Sequence, residues 1–327
     1  MSPMRPIRSI FANLLLRIFP FLAVALVLLR IYPRDLIPGL AGIYYLSPTP
    51  VIAALLFPAF LHALRKLRWR PLMLYGSAGV LLAAWPFRGV LSPPEPTEPP
   101  TEARKVVFWT PDHYHYTTVD EGFAYLRGLD ADIIGLVEGS VDIGRQRWRA
   151  SELFPHYTME LLDYSMLVFH RGRTLERSFT FVGDGRGALS TVVIELPGNR
   201  QRLRVALYDQ VSNPFLHRRK SLREAVDLLM EKPDLPTLLM GDFNLPKSSF
   251  LLRPVRDHFE ATEPRGRAGL PHTYPRFLPL VTIDQVWTRG GFTIHNARIL
   301  DTRLSWHRPI VLNLSLQSTS GRDRKPR

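Results

Sequence analysis

Three apolar stretches lie within the first 91 residues, and they restrict this chain more than any other feature. Ile10–Leu29 is twenty residues with one charged side chain, Arg17; Leu36–Leu64 is twenty-nine residues with no Lys, Arg, Asp or Glu; Pro71–Leu91 is twenty-one residues with Arg88 near its end. A bilayer core ~30 Å thick is crossed by about 20 residues of helix, so each stretch is long enough. A cleaved signal peptide has a shorter apolar core and is not followed by two more. Buried helices of a soluble domain would carry a polar face, which Leu36–Leu64 lacks. The sequence therefore predicts a membrane anchor over 1–91 with about three transmembrane helices (10–29, 36–64, 71–91). Pro48 and Pro50 are expected to break or kink the second, as a bent or partly re-entrant element.

The charge follows the same division. Lys and Arg number 42 against 29 Asp and Glu, a net charge of +13 that by itself suggests a nucleic-acid binder. Residues 1–92 alone carry +9 and the tail Gly321–Arg327 another +3, so what lies between is nearly neutral. Arg5 and Arg8 precede the first stretch, and Arg65, Lys66, Arg68 and Arg70 separate the second from the third. Both groups are expected on the cytoplasmic side. A third crossing then predicts a multi-pass protein of the inner or plasma membrane, with the following domain extracytoplasmic. The loop Arg30–Asp35, with two arginines, runs mildly against this.

Ser92–Thr101 holds five prolines in ten residues, a stiff spacer that marks a boundary over 92–103. The tail 318–327 is polar and basic, and is expected to be disordered. Between them, over 104–317, short strand-like runs alternate with helical ones. Val106–Trp109, Ile133–Val137, Met166–Phe169, Phe179–Val182, Thr191–Leu196, Arg204–Tyr208, Thr237–Met240, Thr282–Thr288 and Ile310–Leu316 read as strands, and Val119–Leu129 and Arg218–Lys232 as helices. That pattern predicts a mixed, sheet-rich α/β or α+β domain. The chain has no cysteine, which excludes a disulfide framework, a thiolate metal site and a cysteine nucleophile.

Polar residues stand where the strand-like runs end: Asp112, Glu138, Asp242 with Asn244, Asp284 and His307. Strand ends are where an α/β sheet presents chemistry in a crevice. Several carboxylates with one imidazole suit a hard, oxygen-seeking cation, Mg2+ or Mn2+, and metal-assisted attack of water on a phosphate. Other features have plainer readings. His113 and His115 read as exposed loop residues or as further metal ligands, His217–Lys220 as a solvated helix start or a phosphate contact, and Arg145, Arg147 and Arg149 around Trp148 as either a solvated face or a substrate grip. His272 lies in a loop near the later motifs.

Gly241-Asp242-Phe243-Asn244, Ala131–Glu138, Thr282-Ile283-Asp284-Gln285-Val286 and Ser305-Trp306-His307-Arg308-Pro309 stand in one order over about 104–316. Together they resemble the motifs of the endonuclease/exonuclease/phosphatase superfamily, and with the apolar segments they look most like its membrane-anchored bacterial branch. The resemblance implies a four-layer α/β sandwich. It implies that Glu138 binds the metal, with Asp112 where nuclease-like members keep a second acid. Asp242 would orient or deprotonate water, Asn244 hold a phosphate oxygen, and Asp284 orient His307, which contacts the phosphate or moves a proton. Tyr208 would be the equivalent of a strand-end His or Tyr, within about one residue of register. Three positions depart from the family: Thr110 stands where Asn is usual, Trp306 where Asp is usual, and Tyr208-Asp209 where a His usually ends the strand. The expected function is a metal-dependent phosphoesterase acting on a lipid headgroup, nucleic acid or small phosphoester, with the lipid bilayer as a partner. The alternative is a catalytically impaired binding or assembly module on the same fold.

Overall fold

The computed structural model describes residues 4–85, 98–139, 143–198, 200–216, 218–264, 266 and 270–317. Residues 86–97, which hold the end of the third apolar stretch and most of the proline spacer, and the tail 318–327 lie outside the described residues. The chain divides into two compact units, 1–93 with 214–216 and the remainder.

The first unit is helical: α1 (Met4–Ile31), α2 (Pro38–Leu46), α3 (Thr49–Arg65) and α4 (Trp69–Ala84). Among the described residues one helix, over Leu14–Ile31, is long and apolar enough to cross a membrane, which corrects the expectation of about three. The second stretch is broken between Leu46 and Thr49, where α2 and α3 meet at 74°. At α4 the helix covers 16 described residues, about 24 Å at 1.5 Å per residue and short of a bilayer core. The break has a local cause. Pro48 cannot donate into a continuing helix, and Ser47 turns its hydroxyl back to the Ile43 carbonyl at 2.7 Å. Arg30 then donates to the carbonyls of Tyr44 and Ser47 at 3.2 and 2.9 Å, capping the end of α2. One of the two arginines in the Arg30–Asp35 loop is thus a structural clamp.

The second unit is built on two six-stranded sheets. The strands are β1 (Arg104–Trp109), β2 (Ile133–Leu136), β3 (Thr158–Leu162), β4 (Met166–His170), β5 (Arg173–Val182), β6 (Gly187–Glu195), β7 (Arg202–Gln210), β8 (Thr237–Asp242), β9 (Glu260–Ala261), β10 (Asp284–Arg289), β11 (Phe292–Ile299) and β12 (Ile310–Leu316). One sheet runs β11-β12-β1-β2-β4-β3 and the other β5-β6-β7-β8-β10-β9. Within each sheet one pair is parallel, β1 with β2 and β7 with β8, and the rest are antiparallel. A parallel pair needs a crossover. The crossovers are α5 (Val119–Leu129) and α7 (Arg219–Met230). The helices α6 (Ile143–Leu153) and α8 (Arg253–His258) pack beside α5 and α7 respectively.

Alternation along the strands sorts the core. Val106, Phe108 and Ile133 meet Val205, Leu207 and Met240 between the sheets, whereas Val107, Trp109 and Ile134 face Phe123, Leu126 and Phe154 of the helical side. Gly135 keeps the sheets close: a Cβ there would stand 2.7 Å from Met240 Cε and 2.8 Å from Leu207 Cδ2. Helix, sheet, sheet and helix form an α/β sandwich, in which α5 begins with a capping box between Thr118 and Glu121.

Both parallel pairs end at the same place. The chain leaves β1 at Thr110, β2 just before Glu138, β7 near Asp209 and β8 at Asp242, so the residues that close these strands converge on one crevice.

Candidate active site

Strand register sets the centre of the site. Asp242 pairs with Asp209 across the parallel β7–β8 ladder and with Asp284 across the antiparallel β8–β10 ladder. Residues opposite one another in a sheet point to the same face. Three carboxylates therefore stand in a row across neighbouring strands, each buried.

The other sheet supplies the partners. His307 Nδ1 bonds both oxygens of Asp284, at 3.0 and 2.9 Å, and stands 3.9 Å from Asp242 Oδ2. Thr110, closing β1, donates its hydroxyl to Asp284 Oδ1 at 2.8 Å. Its carbonyl accepts from Ser305 Oγ at 2.7 Å, and Ser305 Oγ accepts the His307 backbone N–H at 3.0 Å. Trp109 Nε1 donates to the His307 carbonyl at 3.2 Å. The end of β1 thereby fixes the backbone of His307 and the carboxylate that grips its ring. Thr110, shorter than the Asn of the resemblance, still reaches the carboxylate it orients.

Ligand atoms of Asp242, Asp284 and His307 all lie within 4.8 Å of one another, close enough to hold a metal ion. Asp284 already accepts bonds from both His307 and Thr110, so its oxygens are committed to orienting the ring. Glu138 follows β2 in a left-handed backbone conformation at φ 54°, and its carbonyl accepts the His113 N–H at 2.9 Å. Burial pushes the Glu138 carboxyl up; His113 and His307 oppose this, while Asp112 and Asp284 add to it. Asp112 is only partly covered and pairs with His115 Nδ1 at 3.4 Å.

The charges in the crevice act on one another. Burial alone would lower His307, but the charge and hydrogen bond of Asp284, then Asp242 and Glu138, outweigh it and push the imidazole up to about 10. Burial, then the charge of Asp284, push Asp242 up to about 7, against His307 and the Asn244 N–H. Burial, then Asp242 and Glu138, hold Asp209 well above the usual carboxylate range.

Asn244 is held on the other side. Its N–H donates to Asp242 Oδ1 at 2.9 Å and its amide donates to the Gln210 carbonyl at 2.7 Å. Arg218, buried at the start of α7, donates to the carbonyls of Asn244 and of Ser212. In the sequence Arg218 reads as part of a solvated helix start or a phosphate contact; in the structure it is neither exposed nor at the helix surface but buried. Its position eight residues past the end of β7, just before α7, carries no sign that it folds back under Asn244.

Tyr208 is not part of the site. Its hydroxyl donates to Gln210 Oε1 and, at 3.2 Å, meets Ser221 of α7, and its ring packs 5.1 Å from Phe243. The pleat decides this: Tyr208 and Gln210 share the face toward α7, so Asp209 between them takes the crevice side. Trp306 does not reach the carboxylates either. It sits in an aromatic group, 4.9 Å from Phe277, 5.5 Å from Tyr116 and 6.5 Å from Tyr274, whose ring lies 4.9 Å from His307. His272 Nδ1 bonds Thr282 Oγ1 at 3.2 Å. Arg149 is taken up by Asp120 and Glu152, which ties α6 to α5.

The model of the endonuclease/exonuclease/phosphatase family matches residues 123–305, more than half of the chain. The chain belongs to this family. Its members are hydrolases acting on phosphoester bonds. Among solved structures the chain is similar to the human Nocturnin catalytic domain with bound sulfate, at 12% identity and TM-score 0.55 over 67% of this chain and 97% of that one. It is similar to sphingomyelinase C from Streptomyces griseocarneus, at 14% identity and TM-score 0.51 over 65% and 99%. It is also similar to TDP2 of D. rerio complexed with single-strand DNA product, at 12% and 0.51 over 65% and 99%. At these identities the likeness is one of fold. No curated protein matches the sequence.

Proposed function

We propose that the second unit is a divalent-cation-dependent phosphoesterase in which Glu138, with Asp112 beside it, holds the cation, and Asp242, Asn244, Asp284 and His307 act on the phosphate and water. The observation that carries this reading is the buried His307 gripped by both Asp284 oxygens at 2.9 and 3.0 Å, next to Asp242. Oxygen-rich donors with one imidazole and no thiolate fit Mg2+ or Mn2+. When bound, such a cation supplies Lewis-acid polarisation of the phosphoryl oxygen. His307, held cationic by Asp284, neutralises charge on a phosphate oxygen. Asp242, raised to about 7, accepts the proton of the attacking water near neutral pH. Asn244 spends one amide proton on Gln210 and offers the other to the phosphate.

The first unit is read as a membrane tether. Phe21, Val24 and Leu28 on α1, Phe57 on α3, and Leu74, Val80 and Leu81 on α4 are 58% exposed or more, and contiguous exposed apolar surface favours a lipid contact. Tethering favours a lipid headgroup or another phosphoester near the bilayer. The near-neutral second unit disfavours a long duplex, whose binding rests on Lys and Arg. Orientation depends on parity. One crossing by α1 with a cytoplasmic N-terminus places the domain outside, and a second crossing by the bent α2–α3 pair would return it. A reporter fused after Arg327 is expected to be active on the outer side; activity in the cytoplasm overturns the outside placement.

Hydrolysis is tested with the full chain in detergent, on a phospholipid, a generic phosphodiester and plasmid DNA, each with Mg2+ and with chelator. Metal-dependent turnover of at least one is expected. Its absence on all three favours the binding-module reading.

A further inference from the structure

The carboxylate row contains one member that the phosphoesterase reading does not use. Asp284 accepts from His307 and Thr110, and Asp242 from the Asn244 N–H. Asp209, 6% exposed, has no hydrogen-bond or ion-pair partner for its carboxylate among the described residues. Its register opposite Asp242 and the turning of Tyr208 and Gln210 toward α7 aim it into the crevice. An ionised carboxylate in such a place is costly unless something pairs with it, and its oxygens only accept, so the fitting partner is a donor. The largest influences on Glu138, Asp209 and Asp242 are burial and the other groups of the crevice, with no Lys or Arg among them. A donor that is also positively charged is therefore favoured there.

The row continues beyond Asp209 to the sheet edge. Asp209 lies opposite Ala188 of β6, and Ala188 opposite Phe181 of β5. Paired residues share a face, so Phe181 stands two strand spacings from Asp209, roughly 9.6 Å, with only a methyl side chain between them. The other sheet brings a second ring. Tyr164, in the turn between β3 and β4, meets Phe181 edge to face with centroids 5.6 Å apart, and both rings are half-exposed. Tyr164 and Ser165 are both left-handed, at φ 59° and 58°, a region that bulky residues seldom enter. The Ser165 carbonyl accepts the N–H of Gly139 at 2.8 Å, which ties this turn to the residue after Glu138. Burial, then the charges of Asp209 and Glu138, raise the Tyr164 hydroxyl, so the ring lies within the field of both carboxylates. Aromatic faces attract ammonium groups.

We propose that Asp209, Tyr164 and Phe181 form a subsite for a primary ammonium group, so that the preferred substrate is an aminoalkyl phosphoester of the ethanolamine type. Its phosphate half rests on the phosphoesterase reading, with the phosphate at His307. A primary ammonium brings N–H donors for Asp209 and positive charge for the two rings. A quaternary ammonium brings the charge without a donor, and a glycerol ester brings a hydroxyl without the charge. A carboxyl at 209 that simply kept its own proton would bind all three alike.

The test uses the full chain in a maltoside detergent, which carries no ammonium, with Mg2+ present. Calorimetric titration compares phosphoethanolamine, phosphocholine and glycerol phosphate, which share the phosphate and differ in the group beside it. Phosphoethanolamine is expected to bind at least about tenfold more tightly than either, a modest share of what a site built to hydrogen-bond a group shows against analogues lacking it. Asp209→Asn should lose most of that difference. Tyr164→Leu and Phe181→Leu, at half-exposed positions, should each reduce it about 2–30-fold, the span of cation–π contacts; they keep the test open if the Asp209 variant does not fold. Equal affinity for the three ligands in wild type overturns the subsite, and so does a preference that survives Asp209→Asn, Tyr164→Leu and Phe181→Leu. Turnover on the same samples separates the two readings, with phosphatidylethanolamine and phosphatidylglycerol in mixed micelles and their water-soluble glycerophosphodiesters. Preference for the ethanolamine ester in either series supports the subsite, and the series turned over faster identifies the source as lipid or soluble ester. Selective binding without hydrolysis leaves the subsite standing and overturns the phosphoesterase. Hydrolysis without headgroup preference overturns the subsite alone.

Discussion

Asp242→Asn is expected to lower kcat by about 10²–10⁴-fold, the range lost with a positioned general base, while leaving the fold intact or more stable in the absence of metal. The two effects have one origin. Asp242 lies in the middle of the carboxylate row, between Asp209 and Asp284, where burial and the charge of Asp284 push it up to about 7. Asn keeps the shape and the contact with the Asn244 N–H but carries no charge to desolvate. The sign for pH follows from linkage. A carboxyl raised from about 3.9 in the unfolded chain holds its proton more tightly when folded, so its stabilising contribution is full below about pH 4 and is lost as pH rises through about 7. In chelator, the melting temperature of the wild type should therefore fall more between pH 5 and pH 8 than that of Asp242→Asn. An unchanged kcat in the variant would remove Asp242 from the chemistry.

Asp284→Asn should cost about as much by a different route. Carboxylate–imidazole pairs in enzymes lose on the order of 10⁴-fold in kcat when the acid becomes an amide, through a wrong tautomer with the geometry retained. Here the carboxylate bonds His307 Nδ1 with both oxygens and also accepts from Thr110. Burial favours the neutral ring, and the charge of Asp284 is the largest influence opposing it. With Asn in its place the His307 pKa should fall from about 10 toward or below the ordinary value. The cation facing the phosphate is then lost at neutral pH. An NMR titration of the His307 ring reads this directly. A ring that stays protonated well above neutrality in Asp284→Asn would show that Asp284 does not hold the charge.

The site was legible in part because its residues close strands. Asp242, Asp284 and His307 each follow or precede an apolar run, and the structure brings those runs to one end of two sheets. Glu138 follows β2 in the same way. Tyr208 was misplaced because side chains alternate along a strand with a period of two, so an error of one residue in register turns a site residue to the opposite face. Asp209, the residue that does face the crevice, carries no signal of its own in a one-dimensional reading. Arg218 was missed because a basic residue at a helix start is ordinarily solvated, and only the return of the chain after β8 puts Asn244 above it. The helix α6 was overlooked because Arg145, Arg147, Arg149 and Trp148 give it little apolar periodicity; it is fixed instead by Ala150 and Phe154 and by the Arg149–Asp120 pair.

The N-terminal third shows the same limit from the other side. Hydropathy over a window measures length and composition, and all three stretches pass on those grounds. It does not register that Ser47 and Pro48 end one helix and begin another at 74°, or that Arg30 secures the break. The sequence alone determined the division into an apolar basic third and a nearly neutral α/β domain, because burial pattern and charge are properties of composition and spacing. It also determined the acids and the imidazole that close the strands. Only the tertiary structure decided which of them share a face, since that depends on the pairing of β7, β8 and β10, whose members lie as much as 75 residues apart, between Asp209 and Asp284. Register between distant strands, and with it the row of Asp209, Asp242 and Asp284, is fixed by packing of the two sheets.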